Sequence, residues 1–252
     1  MADAARVRHE GQPAFVLHSY PFRETSLVLE VFTLNFGRLA LVARGARRPR
    51  SALRGVLLAF QPLLLSWGGK SELRTLHKAE WQGGLPQLKG IALLCGFYLN
   101  ELMLKLLPRD DPHEHLFETY YRTLHALCNG DEHAATLRRF EKQLLKELGY
   151  APVLDREFAS GNAIQSDHTY EYLIERGPVR STSGSASVIA TGSAAENRLE
   201  LSGQTLLDIA RDDYSNPVTM QQGKSLMRAL INHYLGNQQI NTRQLLKDLQ
   251  QL

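Results

Sequence analysis

The sequence predicts an α+β protein, in which an N-terminal five-stranded barrel precedes a mainly α-helical domain with a loop-rich insert. Three observations support this. Short runs rich in valine, leucine and phenylalanine, divided by turn residues, fill residues 13–81. Helical periodicity begins after residue 86, and small polar residues dominate residues 151–200. The chain of 252 residues, 43% hydrophobic and 22% charged, can bury a real core.

The barrel prediction rests on five short strands. Turn residues such as Asn35-Phe-Gly37 separate them, and closing the sheet removes its unpaired edges. The number of strands is compatible with an OB-fold and with an SH3-like barrel. The predicted strands are Pro13–Tyr20, Leu27–Thr33, Leu39–Arg44, Val56–Trp67 and Glu72–Trp81.

The helical region begins with residues 91–107, of which 13 of 17 are apolar on nearly every side, as in a helix inside a bundle. Ser202 is the predicted N-cap of the first helix after the insert. We expect a barrel domain at 1–82 and a helical domain at 83–252, with a cysteine-free insert at about 151–200. The other predicted helices are His113–Cys128, Glu132–Leu148, Ser202–Tyr214, Met220–Leu235 and Thr242–Leu249.

Positive charge is concentrated near the N-terminus. The net charge is only +3, but residues 1–80 hold 12 lysines and arginines against 6 acidic residues. No acidic residue occurs between Glu30 and Glu72, a stretch with seven cations. Such a stretch is typical of a surface that binds a polyanion, although a solvated basic loop has the same composition. The candidate DNA-binding residues are Arg38, Arg44, Arg47, Arg48, Arg50, Arg54, Lys70 and Arg74.

Aromatic residues alternate with these cations, as in proteins that bind single strands by stacking bases on flat rings. Most of the rings must fill the barrel. Tyr20, Phe22 and Phe36 lie beside turn residues and are therefore the candidates for base stacking.

The third helix carries a second cationic stripe, in which Arg138, Lys142 and Lys146 recur every four residues, with Arg139 beside them and apolar residues on the adjoining face. A hydrophobic groove rimmed by arginine suits an acidic peptide that ends in an apolar side chain. A solvated helix face partly paired with Glu141 and Glu147 explains the same pattern.

Motifs for catalysis, metals and cofactors are absent from the sequence: it has no GxGxxG, P-loop, GxSxG or HExxH pattern. We expect no enzyme activity, no cofactor and no metal, although a hydrolase using Asp110, Asp111 or nearby histidines is an alternative. The two cysteines form no CxxC pair, which favours a reducing compartment. No apolar run is convincing as a signal peptide or a membrane span, so we expect a cytoplasmic protein that does not bind membranes.

Several segments together resemble the bacterial RecO recombination mediators, and their order and spacing carry the resemblance. It covers most of residues 13–150 and continues weakly to the end. The matching segments include Ala14-Phe-Val-Leu-His-Ser, Glu24-Thr-Ser-Leu, Val42-Ala-Arg-Gly-Ala-Arg47, Tyr98-Leu-Asn-Glu-Leu102, Leu137-Arg-Arg-Phe-Glu141 and Leu148-Gly-Tyr150.

The resemblance implies an N-terminal OB-fold and a DNA repair and recombination function without catalysis. Proteins of this family bind single- and double-stranded DNA and anneal complementary strands. With RecR they help RecA replace the single-strand DNA-binding protein SSB, so a nucleoid-associated location is expected. The acidic C-terminal tail of SSB is expected on Arg138 and Arg139, and we extend that site to Lys142 and to groove walls at Leu137, Phe140 and Leu144.

One departure from the family is clear. Many members carry a four-cysteine zinc site after the Leu-Gly-Tyr segment, whereas residues 151–200 contain no cysteine. A different function also remains open, namely a protein-interaction adaptor whose barrel does not bind DNA directly. Binding of an unstructured oligonucleotide distinguishes the two.

Overall fold

The structure, a computed structural model, describes residues 8–181 and 198–243. These residues belong to two compact units. The first is drawn from Met1–His133 and Ile240–Leu252, and the second from Ala134–Gln239. The predicted domain boundary near residue 83 stays a prediction.

The first unit contains a closed five-stranded barrel with the order β1-β2-β3-β5-β4. Strands β3 and β5 run parallel, and the other neighbouring strands run antiparallel. This confirms the predicted α+β class with an OB-like barrel at the N-terminus. The strands are β1 (Arg8–Phe22), β2 (Ser26–Thr33), β3 (Gly37–Ala43), β4 (Leu63–Gly68) and β5 (Leu73–Trp81).

Strand β1 closes the barrel because its 15 residues pair with two neighbours. Its first half pairs with β4, and its second half pairs with β2 beyond Ala14. Inward-facing side chains form one buried cluster that includes Val31, Leu41, Leu65 and Trp67. The core of the barrel therefore excludes water and fixes the loops at both ends.

The predicted fourth strand was wrong in its first half. The chain forms a short helix, α1 (Leu53–Val56), and β4 begins only at Leu63. Leu53 and Val56 pack against the barrel core, and Leu57 is part of that core. This apolar run therefore packs against the barrel core instead of extending a strand.

The first unit also contains two long helices, α2 (Gly90–Leu106) and α3 (Glu114–Asn129). Both begin and end within one residue of the prediction. They pack on the outer face of the barrel, where the Phe15 ring lies 5.1 Å from the Tyr120 ring. Gly130 ends α3 in a left-handed conformation with φ of 80°.

The second unit combines helices with a small sheet of order β7-β6-β8. Ser202 caps α5 as predicted, because its Oγ accepts a 3.0 Å hydrogen bond from the Thr205 N–H. Of the predicted helix Thr242–Leu249, residues 244–249 lie outside the described residues. The elements are α4 (His133–Glu147), β6 (Thr169–Leu173), β7 (Gly177–Arg180), β8 (Arg198–Ser202), α5 (Gly203–Ala210) and α6 (Pro217–Leu235).

Candidate nucleic-acid interface

The densest group of cations lies on residues 44–54, which comprise the connection from β3 to α1 and the first two residues of α1. We call these residues the arginine segment. Its backbone is fastened to the β1–β2 turn, because the Arg47 N–H donates to the Thr25 carbonyl at 2.8 Å. Gly45 has a φ of 67°, which lets the chain turn after β3. Ala46 is buried against the barrel core and anchors the segment from below.

The arginine side chains of this segment are accessible to solvent, although Arg47 Nη1 also contacts the Arg23 and Glu24 carbonyl oxygens. Arg44, Arg47, Arg48, Arg50 and Arg54 are all exposed. Among residues 8–181 and 198–243, no carboxylate forms an ion pair with any of these five guanidinium groups. Five uncompensated charges on one short segment form a strongly positive surface that attracts phosphates.

Arg38 and Arg74 have a different role in the structure. Arg38 lies in β3, where its Nη1 is 2.9 Å from Glu30 Oε2 and its Nε donates to the Leu107 carbonyl. Arg74 forms a 2.5 Å ion pair with Asp110. Both guanidinium groups are therefore committed to contacts between the barrel and the α2–α3 connection.

Lys70 is exposed but lies apart from the arginine segment. Because β5 runs parallel to β3 with Leu73 opposite Ala40, the β4–β5 turn lies toward the start of β3. The arginine segment follows the end of β3. The eight predicted DNA-binding residues thus divide into an exposed group of five, two paired arginines and one separate lysine.

Arg23 belongs with the exposed group, although the sequence analysis did not single it out. It lies in the β1–β2 turn with its guanidinium 5.2 Å from the centre of the Phe22 ring. Arg47 Nη1 contacts its carbonyl at 3.4 Å. The predicted hairpin of β2 and β3 could have identified Arg23, because the pairing of these strands brings the β1–β2 turn to the end of β3.

The three candidates for base stacking differ in exposure. Tyr20 is 46% exposed, and Phe22 is half-buried. Phe36 packs against the barrel core, with its ring 4.4 Å from His9 and 5.5 Å from Trp67. Tyr20 is therefore the most accessible of the three, and Phe36 mainly fills space.

The predicted peptide groove on α4 needs correction. Phe140 and Leu144 are completely buried, so they fill the core of the second unit and do not line an open groove. Arg138 is also buried and forms a 2.6 Å ion pair with Glu141. The helical spacing of apolar residues correctly identified the apolar face of α4. It did not show that this face is buried in the core of the second unit.

Two other residues of that stripe are more accessible. Lys142 forms a 2.6 Å ion pair with Asp212. Arg139 is exposed and donates to the Asp212 carbonyl, with its guanidinium 5.7 Å from the centre of the Tyr214 ring. Leu137 is half-buried. Arg139 and Leu137 are thus the parts of the predicted site that a ligand can reach.

The residues of the insert do not fit the four-cysteine zinc site that the resemblance implies. Hydrogen bonds hold the described part together: the Gln165 N–H donates to Tyr170 Oη at 3.0 Å, and β6 pairs with both β7 and β8. Within the described ranges, no group of three or more His, Cys, Asp or Glu side chains has the arrangement of a metal site.

Of the helices described, none has the length and apolar character to span a bilayer.

Comparison with known proteins agrees with this architecture. The family model for the Recombination protein O N terminal matches residues 8–84, and the model for the Recombination protein O C terminal matches residues 87–244. Proteins named DNA repair protein RecO are similar along nearly the whole chain. The relative from Nitrosospira multiformis is 58% identical over 245 residues, covering 97% of this chain and 98% of the relative. That from Azoarcus sp. is 53% identical over 249 residues, covering 99% and 100%. The chain therefore belongs to the RecO family of DNA repair proteins.

Proposed function

We propose that this protein binds single- and double-stranded DNA through the arginine segment and anneals complementary strands. With RecR, it then helps load RecA onto SSB-coated single-stranded DNA in the cytoplasm, near the nucleoid. The observation that carries the proposal is the group of five exposed arginines without an ion-pair partner among the described residues. The family and the OB-like barrel agree with it, since such barrels commonly bind oligonucleotides.

The arginine segment suits annealing for an electrostatic reason. Two complementary strands repel each other through their phosphates, and cations between them lower that repulsion. Arginines that contact phosphates carry no sequence preference, so any pair of complementary strands is accepted. The protein supplies positive charge and brings the strands together, while base pairing supplies specificity. No covalent bond is made or broken.

Recruitment by the SSB tail is proposed to use the accessible residues of α4. Arg139 offers an exposed guanidinium to acidic side chains, whereas the half-buried Leu137 lies two residues away on the helix and points in another direction. Lys142 and Arg138 stand beside them in existing ion pairs. The acidic side chains of an SSB tail match the exposed cation at Arg139.

A salt titration of binding to a single-stranded oligonucleotide tests the main proposal. Six cations, the five arginines and Arg23, give a slope of log K against log salt of roughly −4. We expect replacement of Arg47, Arg48 and Arg50 by alanine to reduce the steepness by about 2, because each phosphate contact on a single strand contributes about 0.7. Fluorescence anisotropy measures both slopes.

A matched control removes the same charge elsewhere. Arg211, Lys224 and Arg228 are exposed cations of the second unit, and their replacement by alanine should leave the slope unchanged. If the triple variant of the arginine segment instead kept the full slope, this segment would not be the DNA site. Absence of binding by the unmodified protein at moderate salt would favour the adaptor function.

A further inference from the structure

One exposed aromatic residue lies outside the predicted stacking candidates. The chain has two tryptophans. Trp67 is completely buried in the barrel, whereas Trp81, the last residue of β5, is 59% exposed. Trp81 is the most exposed aromatic side chain among the described residues. Covering this apolar ring surface with a flat ligand would be favourable, since it removes apolar area from water.

The indole of Trp81 is held in a defined orientation. Its Nε1–H donates to Gln61 Oε1 at 3.0 Å, and Gln61 is only 6% exposed. The next residue continues the connection, because the Gln82 N–H donates to the Pro62 carbonyl at 3.0 Å. The polar edge of the ring is therefore anchored in the protein, while most of its apolar surface stays open.

The position of Trp81 relates it to the arginine segment. Strands β3 and β5 are parallel, so the end of β5 and the start of the arginine segment lie at the same end of the barrel. The segment continues into α1, which packs against β5 and carries Arg54. Leu63, directly opposite Trp81 in the β4–β5 pair, is buried in the barrel core, so both side chains lie on the inner side of the sheet.

We propose that Trp81 stacks on a base of single-stranded DNA whose phosphates are bound by the arginine segment. This inference rests on the proposed function and adds to it a contact that does not depend on charge. An anchored ring beside a cationic segment is the combination by which single-strand binders hold bases of any sequence. The contact also favours binding of unpaired strands over binding of duplex DNA, because the bases of a duplex are already stacked on each other.

Intrinsic fluorescence tests this contact directly. Because Trp67 is buried, quenching by an oligonucleotide reports on Trp81. The probes are a thymidine oligonucleotide and an abasic strand of the same length, which have equal phosphate charge. We expect the thymidine strand to quench the emission and the abasic strand to leave it nearly unchanged. Equal quenching by both strands would overturn the proposal.

Variants measure what the ring contributes. Trp81→Ala should weaken binding of the thymidine strand about 5- to 30-fold with an unchanged salt slope, because a stack is lost but no ion contact. Trp81→Phe should restore most of the affinity. Phe158→Ala, at a 54% exposed ring in the second unit, is the control and should bind like the unmodified protein. Emission typical of a buried indole from Trp67 shows that the alanine variant is folded.

The outcomes separate this inference from the proposed function. If Trp81→Ala binds DNA as tightly as the unmodified protein while the arginine variant has a flattened salt slope, the stacking contact is overturned and the proposed function is not. Unmodified binding by both variants overturns the barrel as the DNA site. Absence of quenching by every DNA strand also overturns the inference.

Discussion

The hydroxyl of Tyr120 on α3 donates a 2.6 Å hydrogen bond to Asn100 Oδ1 on α2. Asn100 in turn donates through Nδ2 to the Leu17 carbonyl of β1 at 2.8 Å. Burial raises the pKa of Tyr120, so the hydroxyl stays protonated and acts as a donor at neutral pH. This chain of contacts joins two helices to the barrel through polar atoms that are shielded from water.

We expect Tyr120→Phe to destabilise the protein by about 1–3 kcal/mol, because it leaves a buried amide oxygen without this donor. Urea unfolding followed by circular dichroism measures the change. Tyr121→Phe is the control, since its side chain is 39% exposed and should change stability little. Equal stability of Tyr120→Phe and the unmodified protein would show that water replaces the hydroxyl.

The buried ion pair of α4 should matter for stability more than for binding. Glu141 is completely buried and Arg138 is 8% exposed. Arg138→Ala leaves the carboxylate without its 2.6 Å partner, and we expect a loss of about 3–5 kcal/mol in the free energy of unfolding. Arg139→Ala, at the exposed neighbouring position, should cost about 1 kcal/mol or less.

The same pair determines how the SSB-tail site should be tested. Arg139→Glu with Arg138 intact should weaken binding of a tail peptide while the unfolding transition stays nearly unchanged. Isothermal titration calorimetry measures the affinity. If Arg139→Glu binds the peptide as tightly as the unmodified protein, the tail docks on another surface.

Gly37 is expected to tolerate no side chain. It has a φ of 64°, and an added Cβ would lie 2.0 Å from the Asp111 carbonyl oxygen. We expect Gly37→Ala to cost about 2–5 kcal/mol, from the left-handed backbone and the overlap together. Gly11 has a similar φ of 56° but open space around it, so Gly11→Ala should cost only about 1–2 kcal/mol. Thermal unfolding of both variants isolates the overlap, and equal costs would contradict it.

Arg23 should contribute one phosphate contact to the proposed interface. We expect Arg23→Ala to reduce the steepness of the salt dependence by about 0.7 on a single strand. Arg176→Ala is a matched control, because Arg176 also lies over a phenylalanine ring, that of Phe158, at 6.0 Å. Equal salt slopes for Arg23→Ala and the unmodified protein would remove the β1–β2 turn from the interface.

The fold was largely predictable because its signals are local. The predicted helix His113–Cys128 followed from the helical spacing of its apolar residues, and the predicted strands followed from short apolar runs. The prediction of the fourth strand failed in its first half because Val56 and Leu57 are as apolar as strand residues. The structure shows that Val56 packs against the barrel core and that Leu57 belongs to it.

The candidate site was less predictable because ion pairs join residues far apart in sequence. Charge density alone located the arginine segment correctly on an exposed connection. It did not show that Glu30 binds both Arg38 and Arg109, or that Asp110 binds Arg74. Trp81 was missed as a stacking candidate although the predicted fifth strand also ends at Trp81, because the end of a strand does not show which side chains the rest of the fold leaves exposed.

The fastening of the arginine segment to the β1–β2 turn affects the entropy of association. The Arg47 N–H, the buried Ala46 and the turn at Gly45 fix the main chain before any nucleic acid arrives. A DNA strand that binds then restricts only side-chain rotamers, which costs about 0.5–1.5 kcal/mol for each side chain. The larger entropy loss of ordering a disordered basic tail is avoided. Under the proposed function, this lowers the entropic cost of holding two strands together while they pair.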